Sequence, residues 1–380
     1  MKLLFFCGSL EPGRDGVGDY TRLLAAACSA RGHRCVVIAL HDPHVAVGAD
    51  CSEHGVRFVR LPTTDALTDR LHTARKILGS FAPDGVSWQF VAYGFHPRGF
   101  VTAALLHFAP QLRGPRCHVM LHELWIGLEK GATWRARATG WLQRQGVLAL
   151  LARLKPDRVQ TSNETYRQVL REAGTSATVA GLFGNVPIAD GFFDDAHPLS
   201  PWLPPAAAPA PFVAITFGTL HAQWQPADTV DWLLATARRL GRPPVLLAIG
   251  RVGTHAADIL DAFRHRGVAV TATGELPPTT VSHLLRAADC GIAPHPWALI
   301  AKSGAAAAML EHGLPVLVPR DDWQRRGSAT PAPGSPDPLL IRLAGLDGPR
   351  TDRWLAARRP PESALGPAAA SLLAALALPS

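Results

Sequence analysis

Lys302-Ser303-Gly304-Ala305-Ala306-Ala307-Ala308-Met309-Leu310-Glu311-His312-Gly313-Leu314-Pro315-Val316 decides how the rest of the chain is read. The stretch follows Pro294-His295-Pro296 and sets a cation and then small residues at the start of a helix. The first N–H groups of a helix have no intrahelical partner, and with the positive end of the helix dipole they attract phosphate. The helix must end at Gly313, because Pro315 cannot continue it, and Val316-Leu317-Val318 reads as a buried strand. An ordinary alanine-rich core helix is the other reading of the same letters.

Outward from this segment, short apolar runs alternate with helical patterns along all 380 residues. That is the βαβα grammar of parallel-sheet α/β domains. Strands are expected at 2–8, 35–40, 57–61, 86–91, 117–121, 158–161 and 178–183. Helices between them are expected at 17–31, 65–80, 99–112, 133–153 and 163–173. Six prolines between Pro198 and Pro211 interrupt the pattern, and a second series follows. Its strands are expected at 212–217, 245–249, 268–272, 290–293 and 315–318, and its helices at 226–240, 255–266, 280–287 and 303–312. The expectation is therefore two doubly wound, Rossmann-like domains facing a cleft. An N-terminal domain (1–190) is joined by a Pro-rich linker (191–211) to a C-terminal domain (212–350), and a helical tail (351–380) ends the chain. Residues 327–338 read as a loop.

Composition sets limits. The chain is 47% hydrophobic and 18% charged, which excludes disorder as a whole-chain description. No apolar run reaches the ~18 residues that a membrane-spanning helix needs, and Leu3-Leu4-Phe5-Phe6 reads as a first strand rather than a leader. Six scattered cysteines without CxxC spacing suit reduced thiols in the cytoplasm. The net charge of +8 is concentrated: residues 1–185 hold 22 Lys+Arg against 14 Asp+Glu, and the remainder 16 against 16. A basic half suits an anionic partner. Within it, residues 133–155 set Trp134 and Trp141 among Arg135, Arg137, Arg144, Arg153 and Lys155. This suits a helix resting on an anionic membrane, or one whose apolar stripe packs on a sheet while its arginines face water. No nucleic-acid recognition module is present.

Ligands of open α/β sheets bind at the carboxyl ends of strands, so the turns there hold the candidate site. Gly16, Gly18 and Asp19 lie in the first turn. His122 and Glu123 close the fifth strand, and Asn163 begins a helix after the sixth. In the second half, His221, Arg251 and His295 follow strands, and Lys302, Ser303, Gly304 and Ala305 open the decisive helix. Arg251 and Lys302 are expected to neutralise a diphosphate together. The first turn is not a GxGxxG fingerprint, and no acidic residue clearly ends the second strand, which disfavours a Rossmann oxidoreductase.

Taken in order, Gly8–Leu40, His122-Glu123-Leu124-Trp125, Thr161–Tyr166, Gly184-Asn185-Val186-Pro187 and Lys302–Pro319 resemble the GT-B glycosyltransferases. Within these the likeness is to the GT4-type retaining enzymes that use nucleotide-sugar donors. The resemblance implies transfer of a sugar from a nucleoside diphosphate to a hydroxyl acceptor. It assigns Gly16, Gly18 and His122 to the sugar side, and Arg251, Lys302, Ser303 and Gly304 to the diphosphate, with no cofactor or metal. The chain departs from the family pattern in two places. Gly218–Trp224 lacks the family's Arg and Lys, and the two glutamates expected eight apart fall at Ile300 and Ala308, with Glu311 one turn beyond as a substitute. A non-catalytic GT-B-like protein that binds a sugar nucleotide, or acts as a scaffold, is the alternative.

Overall fold

The computed structural model describes residues 1–191, 197–203, 209–327 and 337–377. Two compact units divide the chain. The first is Met1–Leu182 with Arg325–Ala329 and Ala364–Ser380, and the second is Phe183–Gln324 with Thr330–Ser363.

The first unit runs β1 (Lys2–Cys7), α1 (Gly16–Ser29), β2 (Arg34–Asp42), β3 (Ala49–Glu53), β4 (Val56–Pro62), α2 (Leu67–Phe81), β5 (Gly85–Phe90), α3 (Ala103–Phe108), β6 (Cys117–Leu121), α4 (Trp134–Leu154), β7 (Arg158–Thr161), α5 (Glu164–Glu172) and β8 (Thr178–Val179). Its strands lie in the order β3-β4-β2-β1-β5-β6-β7-β8. All pairs are parallel except the β3–β4 hairpin. Strands covered on both faces read as continuous apolar runs, and Leu3–Cys7 and Gly85–Phe90 are buried at every position.

The second unit runs β9 (Phe212–Phe217), α6 (Ala227–Leu240), β10 (Pro244–Ile249), α7 (Ala256–Arg264), β11 (Ala269–Gly274), α8 (Pro278–Ala287), β12 (Cys290–Ile292), α9 (Gly304–Glu311), β13 (Val316–Val318), β14 (Leu340–Arg342) and α10 (Gly348–Ala356). Its sheet is wholly parallel in the order β11-β10-β9-β12-β13-β14. Alternation along β9 feeds two cores: Val213 and Ile215 pack with Leu284, Leu285 and Met309, while Phe212 and Ala214 pack with Trp232, Phe263 and Trp354. The last helix, α11 (Leu365–Ala377), belongs to the first unit, where Arg116 donates to Leu376 O at 3.1 Å.

These boundaries differ from the sequence reading in definite ways. Residues 183–190 belong to the second unit, and the expected tail divides between the two units. The expected linker falls partly outside the described residues, as does most of the expected 327–338 loop. The described linker segment 197–203 packs on the second unit: Leu199 is buried, and Thr271 Oγ1 donates to Trp202 O at 2.9 Å. The second strand runs on to a buried Asp42, so an acidic residue does end it. That carboxylate accepts from Leu10 N (3.0 Å), His44 N (3.0 Å) and Arg60 Nε (2.7 Å), and so ties down the first turn.

A polar ladder crosses the first sheet. Register sets Ser87 beside His118, and Ser87 Oγ lies 2.9 Å from His118 Nδ1. His118 Nε2 meets Gln160 Oε1 at 3.0 Å, and Gln160 Nε2 donates to Ser371 Oγ of α11 at 3.5 Å. Burial pushes the His118 pKa down to about 4, so the ring folds neutral.

Two outcomes follow from this packing. A depressed histidine contributes stability that is complete above its unfolded pKa and is lost as pH falls toward the folded value. Between about pH 6.5 and 4 the native state should therefore weaken, by about 2 kcal/mol at about pH 5 from His118 alone. His118→Gln should remove that share of the loss in urea titrations, and an undiminished acid loss in the variant would contradict it. At Gly184 the backbone lies against α9, and a Cβ there would stand 2.4 Å from Ala308 Cα. Gly184→Ala should cost about 1–3 kcal/mol by overpacking, and an unchanged denaturation midpoint would refute the contact.

Candidate functional site

In an open parallel sheet, connections leave in opposite directions on either side of one strand pair, and a crevice opens at their carboxyl ends. In the second unit that pair is β9 and β12. His221 follows β9 and His295 follows β12. Their Nε2 atoms are 3.2 Å apart, and the rings meet edge to face with centroids at 4.4 Å. One nitrogen must donate and the other accept, so at least one ring is neutral. Burial, then the neighbouring His221, Lys302 and Arg320, push the His295 pKa down to about 3. His295 Nδ1 is buried with no hydrogen-bond partner among the described residues.

Lys302 ends the short 3-10 segment Trp297–Lys302, and Ser303 caps α9, its Oγ accepting from Ala306 N at 3.2 Å. The cation thus stands just ahead of the helix, not in its first turn. Gly304 and Ala305 are the first two helical residues, whose N–H groups have no intrahelical acceptor. Glu311 ends α9, about 10 Å from this start, where its carbonyl accepts from Glu362 N at 2.7 Å. It therefore does not join the cluster at the helix start. Ile300 and Ala308 are both core residues, so neither position presents a side chain to a ligand.

The arginine near His295 and Lys302 is Arg320, which the sequence reading missed. It lies two residues past β13, with its side chain 4% exposed, and donates to Asp322 at 2.7 and 3.0 Å and to Gln223 Oε1 at 2.9 Å. The expected partner of Lys302, Arg251, is exposed and paired with Glu275 at 3.1 Å. A nearby cavity of about 680 Å³ is lined by Asp228, Asp231, Asp321 and Asp347 with Arg239. Carboxylates outnumber cations on that lining, so it does not suit a diphosphate.

In the first unit the corresponding strand pair is β1 and β5. Asp15 caps α1, its Oδ1 accepting from Val17 N at 2.9 Å, and burial raises its pKa. Gly18 is glycine because a Cβ would lie 2.4 Å from Ser9 O, whereas Gly16 is exposed. Asp19 accepts from Gly13 N with both oxygens at 3.1 Å, so it shapes the turn. His122 is buried behind β6, its Nε2 2.9 Å from Gln89 Oε1 and its ring edge-on to Tyr20. Burial, then His118, bring its pKa to about 3. Gln89 Nε2 in turn donates to Ser87 Oγ at 2.7 Å, which joins His122 to the polar ladder. Because Gln89 offers a carbonyl oxygen, His122 carries its proton on Nε2 and keeps a lone pair on Nδ1. Glu123 beside it is half-buried. Asn163 accepts from Tyr166 N at 2.8 Å and donates to Ser162 Oγ at 3.1 Å, so both ends of its amide are used in capping α5.

No protein-family profile matches this sequence, and no curated sequence is similar to it. Solved structures do resemble it. The catalytic domain of starch synthase IV from Arabidopsis thaliana, bound to ADP and acarbose, matches with a TM-score of 0.57 at 13% identity over 99% of this chain and 98% of its own. Sucrose-phosphate synthase from Thermosynechococcus elongatus matches with a TM-score of 0.56 at 15% identity over 99% and 94%. A putative UDP-N-acetylglucosamine 2-epimerase from Listeria monocytogenes matches with a TM-score of 0.50 at 12% identity over 98% and 95%. At these identities the likeness is one of architecture, and the chain has the two-domain, parallel-sheet GT-B fold.

Proposed function

We propose that this protein is a glycosyltransferase that moves a sugar from a nucleoside-diphosphate donor to a hydroxyl acceptor. The observation carrying the reading is the corner at the β9–β12 crevice where the His221–His295 pair meets Lys302 and Arg320 ahead of the α9 start. Departure of the diphosphate from an oxocarbenium-like centre is the barrier in such a transfer. Positive charge and unpaired amides directed at the leaving phosphates lower it. Lys302 and the amides of Gly304 and Ala305 supply both, with Arg320 adding its charge from its buried pairing with Asp322, and the reading needs no resident metal. In the first unit, His122 with its fixed tautomer takes the sugar side that the motif resemblance assigns to it, beside the turn holding Gly16 and Gly18. The same resemblance is the support for retention and for a GT4-like relationship. Six free thiols, five of them buried, suit a cytoplasmic setting, and no described helix is long and apolar enough to cross a membrane.

Incubating the protein with a panel of UDP-, GDP- and ADP-sugars and simple glycoside acceptors tests the proposal. Nucleoside diphosphate should appear together with a glycosylated product. Lys302→Ala should lower kcat/KM about 10²- to 10³-fold. Arg251→Ala should cost less than about tenfold, since Glu275 already meets that guanidinium. Inversion at the sugar without an acceptor would reassign the chain to epimerase chemistry. Tight nucleotide-sugar binding without turnover would favour the non-catalytic alternative.

A further inference from the structure

Helix α4 presents two unlike faces. Gly140, Gln143, Val147, Leu150, Leu151 and Leu154 face inward and are buried. Opposite them, Trp134 is 73% exposed, Trp141 59% and Leu142 51%. Trp134 and Trp141 are seven residues apart, so they fall within about 20° of each other around the helix and about 10 Å along it. Arg137 and Arg144, also seven apart, border this crest on one side, and Arg135 and Arg153 border it on the other. The helix contains no Asp or Glu. None of its four arginines has an ion pair or hydrogen bond among the described residues, and the Arg135 guanidinium lies over the Trp134 ring at 5.4 Å. Leaving two tryptophans in water is unfavourable by roughly the cost of exposing ~150–250 Å² of ring surface each. A folded protein that does so needs another reason to keep them there.

We propose that this face of α4 is a docking surface for an anionic lipid bilayer. Indole rings prefer the headgroup–acyl boundary, and arginines flanking such a crest reach lipid phosphates on either side of it. Charge decides against the alternatives. A second copy docked by a two-fold axis through this face would oppose arginine to arginine. Single-stranded nucleic acid is held in a basic groove with stacking platforms, whereas this surface is a convex helical ridge. The surplus of eight positive charges in residues 1–185 acts in the same direction.

The full-length protein, sedimented with phosphatidylcholine vesicles with and without phosphatidylglycerol, provides the test. It should bind only the anionic vesicles, and salt should weaken the binding. Replacing Trp134 and Trp141 together by Ser should weaken it at least about tenfold, and Arg135→Gln or Arg137→Gln about fivefold each. Brominated acyl chains should quench tryptophan fluorescence in the unaltered protein, a readout independent of how any variant folds. Failure to bind anionic vesicles would overturn the proposal. So would full binding by the double tryptophan variant at an unchanged denaturation midpoint, or dimerisation or oligonucleotide binding that depends on the same two tryptophans.

Discussion

Parallel strand pairing is the constraint from which the rest follows. A parallel neighbour can be reached only through a crossover, so all the parallel strands of a sheet end at one edge. With β1 placed between β2 and β5, and β9 between β10 and β12, each sheet has one point where successive crossovers part. Everything of chemical interest in the second unit gathers there: an imidazole from the turn after β9, another from the turn after β12, and a lysine and an arginine nearby. In the first unit the same parting leaves the turn after β1 tied to the buried carboxylate of Asp42. The site positions are thus outcomes of topology before they are choices of side chain.

Much of this was legible from the letters alone. Strands buried on both faces announce themselves as unbroken apolar runs, and β6, β7 and β9 fall at the expected residues. What escaped has physical causes. β3 is largely exposed and belongs to a short antiparallel hairpin, so its alternation is too weak to read. β14 has three half-buried residues, and α10 offers little more than an Asp347 cap to mark it. Arg320 drew no notice, although a cation just beyond a strand end is the signal that drew attention to Arg251. Which of two such arginines is held near Lys302 depends on sheet order, and sequence does not carry sheet order. Gln89 illustrates the same limit: its importance lies in a bond to a histidine 33 residues away.

The departures from the glycosyltransferase pattern also acquire a physical sense. Position 308 packs beneath the backbone of Gly184 and position 300 lies in the core. A glutamate at either place would be a buried charge without a partner, at a cost of several kcal/mol. The two histidines at the β9–β12 crevice stand near the region where the pattern's cations are missing, and at least one of them, the buried His295, is neutral. A donor site organised by a neutral ring and few cations would rely on the helix-start amides more heavily than one with a full complement of charge.

The position of α11 has a consequence for how the protein is made. Its Ser371 completes the polar ladder of the first sheet, and its Leu376 side chain lies against Gly85 of β5. The other elements of that unit's sheet end at Val179. During synthesis, therefore, the first unit leaves the ribosome without the helix that covers its central strands, and it must wait while 183–363 are translated. At cellular elongation rates of 5–20 residues per second the wait is roughly 10–40 s, during which the polar face of β5 and β6 that carries Ser87 and His118 lacks its covering helix. The second unit can close as soon as Ser363 emerges, so the half of the protein made first is the half that finishes last.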